Sequence, residues 1–255
     1  GLMVGQMHQR ISDTSTPVAD SVSDMLAALT QIRDGATGGT TLAAKTLREI
    51  LATEDEPEDW VIPGLFERGD RLILTGYEGL GKTSWLRQIG ICAAAGLNPV
   101  TLDQLDRQIR VLFVDVENSE RQWRRETRGI ALVAERGGIG SPRDYVHVHT
   151  GARMDLRKDR DLGLVHRLVD QYQPEILVIG PLYRLTPNGI NNDEEAAPLI
   201  AALDTLRDRG LVLAMEAHAP KGSMGERNLA PRGSAALMGW PEFGFGLAPQ
   251  DKDET

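Results

Sequence analysis

The segment Gly76-Tyr-Glu-Gly-Leu-Gly-Lys-Thr83 fits the pattern Gly-x-x-x-x-Gly-Lys-Ser/Thr at every position. Where it joins a strand to a helix, such a loop holds the phosphates of a nucleotide. Its glycines let the backbone pass close to phosphate oxygens, and the first amides of the following helix supply donors and the positive end of a dipole. The nucleotide-binding candidates are therefore Gly76, Tyr77, Glu78, Gly79, Leu80, Gly81, Lys82, Thr83 and Ser84. Lys82 is expected to reach the β- and γ-phosphate oxygens, and the Thr83 hydroxyl to ligate Mg²⁺. ATP and Mg²⁺ are the expected cofactors.

Holding a triphosphate is not cutting it, which requires a group that positions water. The apolar run Val111-Leu-Phe-Val-Asp-Val-Glu117-Asn118 ends in acids. In a doubly wound sheet, ligands lie beyond the C-terminal ends of the strands, so Glu117 is the candidate general base or water-orienting group. The alternative is that Glu117 caps a helix starting near Ser119. Asp115 lies inside the apolar run, where a carboxylate needs Mg²⁺-bound water, a basic residue or a backbone donor. With Thr83 it forms the candidate metal pair. His147 and His149 alternate on a strand, but no Cys or carboxylate stands with them at the spacing zinc requires.

Positioning these groups takes a scaffold, and the sequence describes one. Short β-like runs alternate with helical ones: 71–75 then 82–95, 110–116 then 119–134, 145–149 then 158–171, 176–179 then 194–208, and finally Val212–Glu216. Runs such as Ile176-Leu-Val-Ile179 are apolar throughout, as expected of strands covered on both faces. The spacing predicts an α/β domain over 60–255 with a doubly wound, mainly parallel sheet. Residues 1–59 read as a helical extension and linker. Val18, Val22, Met25, Leu29 and Ile32 form a narrow apolar seam, a second short helix covers 42–51, and Glu54–Asp59 is acidic. The seam either docks on a neighbouring subunit or packs on its own domain.

With 28 Lys and Arg against 37 Asp and Glu, the net charge of −9 does not favour polyanion binding in bulk, and any nucleic-acid contact must come from local patches. A single cysteine, Cys92, excludes an internal disulfide. No stretch reaches the ~20 apolar residues of a membrane span. The expected location is cytoplasmic, with no membrane partner.

Taken in order, the loop, Val111-Leu-Phe-Val-Asp-Val-Glu-Asn-Ser-Glu-Arg121, Pro174-Glu-Ile-Leu-Val-Ile-Gly-Pro-Leu-Tyr183, Leu213-Ala-Met-Glu-Ala-His-Ala-Pro-Lys221 and Arg232-Gly-Ser-Ala-Ala-Leu237 resemble the RepA-like hexameric replicative helicase ATPases. These are RecA-type P-loop NTPases known in phage and actinobacterial forms. The resemblance implies a RecA-like fold and a ring, six-membered in that family's pattern, working on single-stranded DNA. It implies Lys82, Glu117, His218 and Arg232 as catalytic residues, with His218 sensing the γ-phosphate and Arg232 reaching a neighbour's nucleotide. Arg184, Lys221 and Arg227 are candidates for DNA or intersubunit contact, on loops 183–192 and 220–232. One position departs from the family. Gly180 stands where many members carry the aspartate that holds the metal's water, and Asp115 is the expected substitute. Rival readings are a nucleotide-switched scaffold or loader with weak hydrolysis, and a recombination or repair ATPase of similar core.

Overall fold

The structure is a computed structural model that describes residues 44–54, 57–188, 190, 192–219 and 236–248. The chain divides into two units, Gly1–Pro57 and Glu58–Thr255. In the first, the described helix is Leu47–Leu51 (α1). Its start is set by a reciprocal cap: the Thr46 hydroxyl accepts the Glu49 amide, and the Glu49 carboxylate accepts the Thr46 amide at 2.7 Å. The expected seam helix, Val18 to Ile32, lies outside the described residues.

The second unit opens with a small antiparallel pair, Trp60–Ile62 (β1) and Phe66–Glu67 (β2). The main sheet then uses Arg71–Gly76 (β3), Val111–Asp115 (β4), Val146–Thr150 (β5), Ile176–Gly180 (β6), Val212–His218 (β7) and Phe243–Leu247 (β8). Its order is β5-β4-β6-β7-β3-β8, and every pairing is parallel. Between the strands run the helices Lys82–Ala94 (α2), Glu120–Gly137 (α3), Asp159–Tyr172 (α4) and Asp193–Arg207 (α5), followed by the short Ala236–Gly239 (α6). This is the mainly parallel α/β sheet with flanking helices that the sequence predicts.

The central strands β4 and β6 are almost wholly apolar because both faces are covered, whereas the edge strands β5 and β8 are only partly buried. On β4, Leu112 and Val114 enter a core shared with Val165 of α4 and Leu199 and Leu203 of α5. The alternate residues Val111 and Phe113 enter a second core with Leu86 and Ile89 of α2 and Trp123 of α3. Each such buried side chain contributes about 1.5–3 kcal/mol relative to exposure. Gly90 lets α2 lie close to the sheet: a Cβ there would stand 2.5 Å from the Phe113 ring.

Register sets the level of the site. Gly76 pairs with His218 across β3 and β7, and Asp115 pairs with Gly180 across β4 and β6. The candidate residues on four strands therefore emerge at one edge of the sheet. Departures from the sequence expectation include the β1–β2 pair, α1, which starts at Leu47 rather than at 42, β8, added beside β3, and β7, which runs two residues past Glu216 to His218.

Candidate active site

The loop after β3 is shaped by glycines. A Cβ on Gly76 would lie 2.9 Å from the Leu247 carbonyl oxygen, so β8 leaves room for nothing larger. Gly79 and Gly81 have φ of +80° and +84°, the left-handed region that other residues enter at a cost. Gly81 is also the residue at which α2 begins, and no side chain caps the helix there. Its first amides are left facing the loop, the arrangement that binds phosphate oxygens.

Lys82 folds back into this loop. Its ammonium, on a residue only 5% exposed, donates to the carbonyls of Gly76 at 3.0 Å and Tyr77 at 2.9 Å. Burial pushes its pKa down, opposed by the charges of Glu216, Glu78 and Glu117. The next residue, Thr83, donates its hydroxyl to the Glu216 carboxylate at 2.9 Å to Oε2, with Oε1 at 3.2 Å. Glu216 is 6% exposed, and burial pushes its pKa up, with Glu117 and Asp115 adding to the rise while Thr83 and Lys82 oppose it.

Asp115 is engaged differently. Its Oδ1 accepts the amides of Glu117 at 2.9 Å and Asn118 at 2.8 Å. Its Oδ2 accepts the Asn118 side-chain amide at 3.0 Å and the Trp123 indole N–H at 2.7 Å. Arg87 stands 3.7 Å from the same oxygen, with its guanidinium 4.6 Å from the centre of the Trp123 ring. Of the partners the sequence left open for Asp115, the structure places the basic residue and the backbone donors against it. The carboxylate in contact with Thr83 is Glu216 instead.

Glu117 stands exposed just past the end of β4. The cap of α3 falls to Ser119, whose hydroxyl accepts the Gln122 amide while the Gln122 side chain accepts the Ser119 amide at 2.8 Å. Glu117 accepts a hydrogen bond from the Tyr183 hydroxyl. The Tyr183 ring lies 5.3 Å from that of His218, and the Arg184 guanidinium lies 5.7 Å from the Tyr183 ring centre. Arg153 ties the segment down by donating to the carbonyls of Tyr183 at 2.7 Å and Pro187 at 2.8 Å. Burial, then the bond to Glu117, pushes the Tyr183 phenol up.

The structure thus brings Lys82, Thr83, Glu117, Arg184 and His218 to one end of the sheet. Arg232, Lys221 and Arg227 lie outside the described residues. His147 stacks on Tyr172 at 4.1 Å, and among the described residues no group of three or more His, Cys, Asp or Glu could hold a metal unaided. A cation here would arrive with a phosphate ligand, which is how Mg²⁺ is usually held: few protein oxygens, several waters and the substrate. The pair formed by the half-buried Thr83 hydroxyl and the buried Glu216 carboxylate suits that chemistry. Sequence reasoning missed Glu216 and Arg87, and it read Tyr183 as a base-stacking or packed residue rather than as a partner of Glu117. The signal for Glu216 was present, an acid inside Val212-Leu-Ala-Met-Glu-Ala-His218.

A family model described as an AAA domain matches residues 39–224, a span holding every described residue of the site. Among solved structures, the fold is similar to that of a KaiC-like protein from the hyperthermophilic archaeon Pyrococcus horikoshii OT3. The two share 18% identity and a TM-score of 0.52 over 74% of this chain and 76% of that one, a likeness of fold. Comparison with curated proteins gave no match.

Proposed function

The chain belongs to the AAA domain family and has the fold of RecA-type P-loop NTPases, and on that basis we propose that it is an ATP-hydrolysing motor for single-stranded DNA. In this reading it assembles as a ring, six-membered as in the RepA-like helicases that its motifs resemble. One observation carries the hydrolytic part: Lys82 and Thr83 from the loop after β3 and Glu117 from the end of β4 lie at the same end of the sheet, with β6 and β7 between their strands, close enough for Glu117 to bear on the Lys82 charge.

The residues divide the work as follows. Loop amides and the uncapped start of α2 receive the phosphates. Lys82 exchanges two neutral carbonyls for charged phosphate oxygens, which are stronger acceptors. Thr83 is the loop's ligand for Mg²⁺, which when bound neutralises charge developing on the phosphates. Glu117 orients the attacking water and takes its proton, and the Tyr183 hydroxyl on Oε1 restrains it until that bond is released. His218, against Tyr183, passes the change to loops 183–192 and 220–232. Arg232 serves a neighbour's nucleotide, and Arg184, Lys221 and Arg227 meet DNA or the adjoining subunit. Residues 1–59 act as the extension by which copies are joined.

The test is ATP turnover with Mg²⁺, with and without single-stranded DNA, in the wild type and in Glu117→Gln. DNA should stimulate the wild type, and the variant should lose on the order of 10²–10⁴-fold while still binding nucleotide. Undiminished turnover in the variant would overturn the role of Glu117. A second reading, a nucleotide-switched scaffold with weak hydrolysis, draws on the bond between Tyr183 and Glu117, which holds the base on a protein donor. Tight ATP binding with negligible turnover, with or without DNA, would favour it.

A further inference from the structure

Gly180 ends β6 where a P-loop hydrolase ordinarily carries the aspartate that holds the metal's water, and this chain has no carboxylate there. We propose that Glu216, one strand over, is the residue that holds Mg²⁺ through its water beside Thr83. The inference rests on the nucleotide-binding reading above and adds a ligand that the loop motif does not contain.

Three observations carry it. The first is register: Val178 of β6 pairs with Ala214 of β7, so two residues on, Gly180 lies beside Glu216. A Cβ on Gly180 would come within 3.8 Å of the Glu216 backbone nitrogen. Glu216 is also paired with Leu74 of β3, the strand that leads into the phosphate loop. The carboxylate has moved one strand toward the loop, a shift of about 4.8 Å between neighbouring strands, and the extra methylene of glutamate extends its reach.

The second is contact. Glu216 accepts the hydroxyl of Thr83, the side chain that the motif assigns to the metal. A hydroxyl that ligates a cation with its oxygen still donates its proton to such a carboxylate. The third is space. Thr83, Arg87, Asp115, Gly180 and Glu216 share the wall of a cavity of about 30 Å³, enough for one water. Leu86, Phe113, Trp123 and Val178 make the rest of the wall mainly apolar, so its polar partners are few; one of them is Arg87, 3% exposed, whose Nε and Nη2 have no hydrogen-bond partners. Asp115 is no competitor, because both its oxygens already serve protein donors.

The experiment measures affinity of the full chain for a fluorescent ATP analogue in EDTA and in Mg²⁺, and follows bound Mn²⁺ by electron paramagnetic resonance. Wild type should bind more tightly with the cation. Glu216→Gln should keep its affinity in EDTA and lose about 10–100-fold of cation-dependent affinity, with the Mn²⁺ signal weakened in step. Asp115→Asn, if folded, should keep the cation-dependent gain. Should Glu216→Gln fail to fold, Glu216→Asp keeps the charge while shortening the reach, and should reduce the gain without touching affinity in EDTA. An unchanged gain in the folded Glu216 variant overturns the assignment. A wild type that binds no nucleotide in either condition overturns the parent reading with it.

Discussion

Asp115 and Glu216 invite comparison. Both are acids near the C-terminal ends of buried parallel strands, at 7% and 6% exposure, and both lie beside α2. Their donors differ. Asp115 accepts two backbone amides, a side-chain amide and an indole N–H, with a guanidinium nearby. Among the described residues, hydrogen bonds to the Glu216 carboxylate come from the Thr83 hydroxyl. Burial therefore does not separate an acid that builds the frame from one that waits for a ligand; the donor count does. A carboxylate whose lone pairs are satisfied repays its desolvation within the protein, whereas one that is underserved keeps capacity for something that arrives later.

The comparison can be broken by stability measurements. Asp115→Ala removes the acceptor for Trp123 and Asn118 and the buried counter-charge of Arg87, and should cost about 3–5 kcal/mol in urea unfolding, since it leaves a buried guanidinium facing only the partly exposed Glu126. Glu216→Gln in the nucleotide-free protein should change stability by under about 1 kcal/mol. Equal losses in the two would make Glu216 part of the frame. Next in size, Trp123→Phe keeps the ring packing against Phe113 but removes the indole donor. It should cost about 1–3 kcal/mol while leaving Mg²⁺-dependent nucleotide affinity intact.

Gly180→Asp sharpens the contrast by offering the usual aspartate at its usual place. Gly180 has φ of +149°, where a side chain is strained, so the change should cost about 1–3 kcal/mol. It should not restore the cation-dependent affinity lost in Glu216→Gln, which nucleotide titration of the double variant would check. The smallest effect belongs to Tyr183→Phe. Stability should move by less than about 0.5 kcal/mol. Turnover without DNA should rise by roughly fivefold, the worth of one hydrogen bond of about 1 kcal/mol restraining Glu117. A fall in turnover would make Tyr183 an assistant to the base rather than a restraint on it.

Much of this arrangement was legible in the residues. The loop, the fully apolar strands and the acid past the end of β4 are local patterns, and the parallel sheet follows from their alternation with helices. Glu216 is hidden from local pattern because the apolar run of the sequence ends there, which makes it look like an exit residue. Two further residues of β7 turn it into an interior one. β8 escaped because Gly244 and Gly246 dilute its strand signal, and only pairing with β3 reveals it. The contact of Tyr183 with Glu117 spans 66 positions, beyond the reach of any periodicity.

The packing of Leu247 against Gly76 has a further consequence, for biosynthesis. β3 leaves the ribosome early, but its outer edge is unpaired until β8 emerges. At common elongation rates the interval is on the order of ten seconds or more. During that time the strand that begins the phosphate loop has an open edge, the kind of surface on which nascent chains associate wrongly. The pocket begun first is thus walled last, and a stalled chain lacking β8 would carry the whole loop motif without its finished wall.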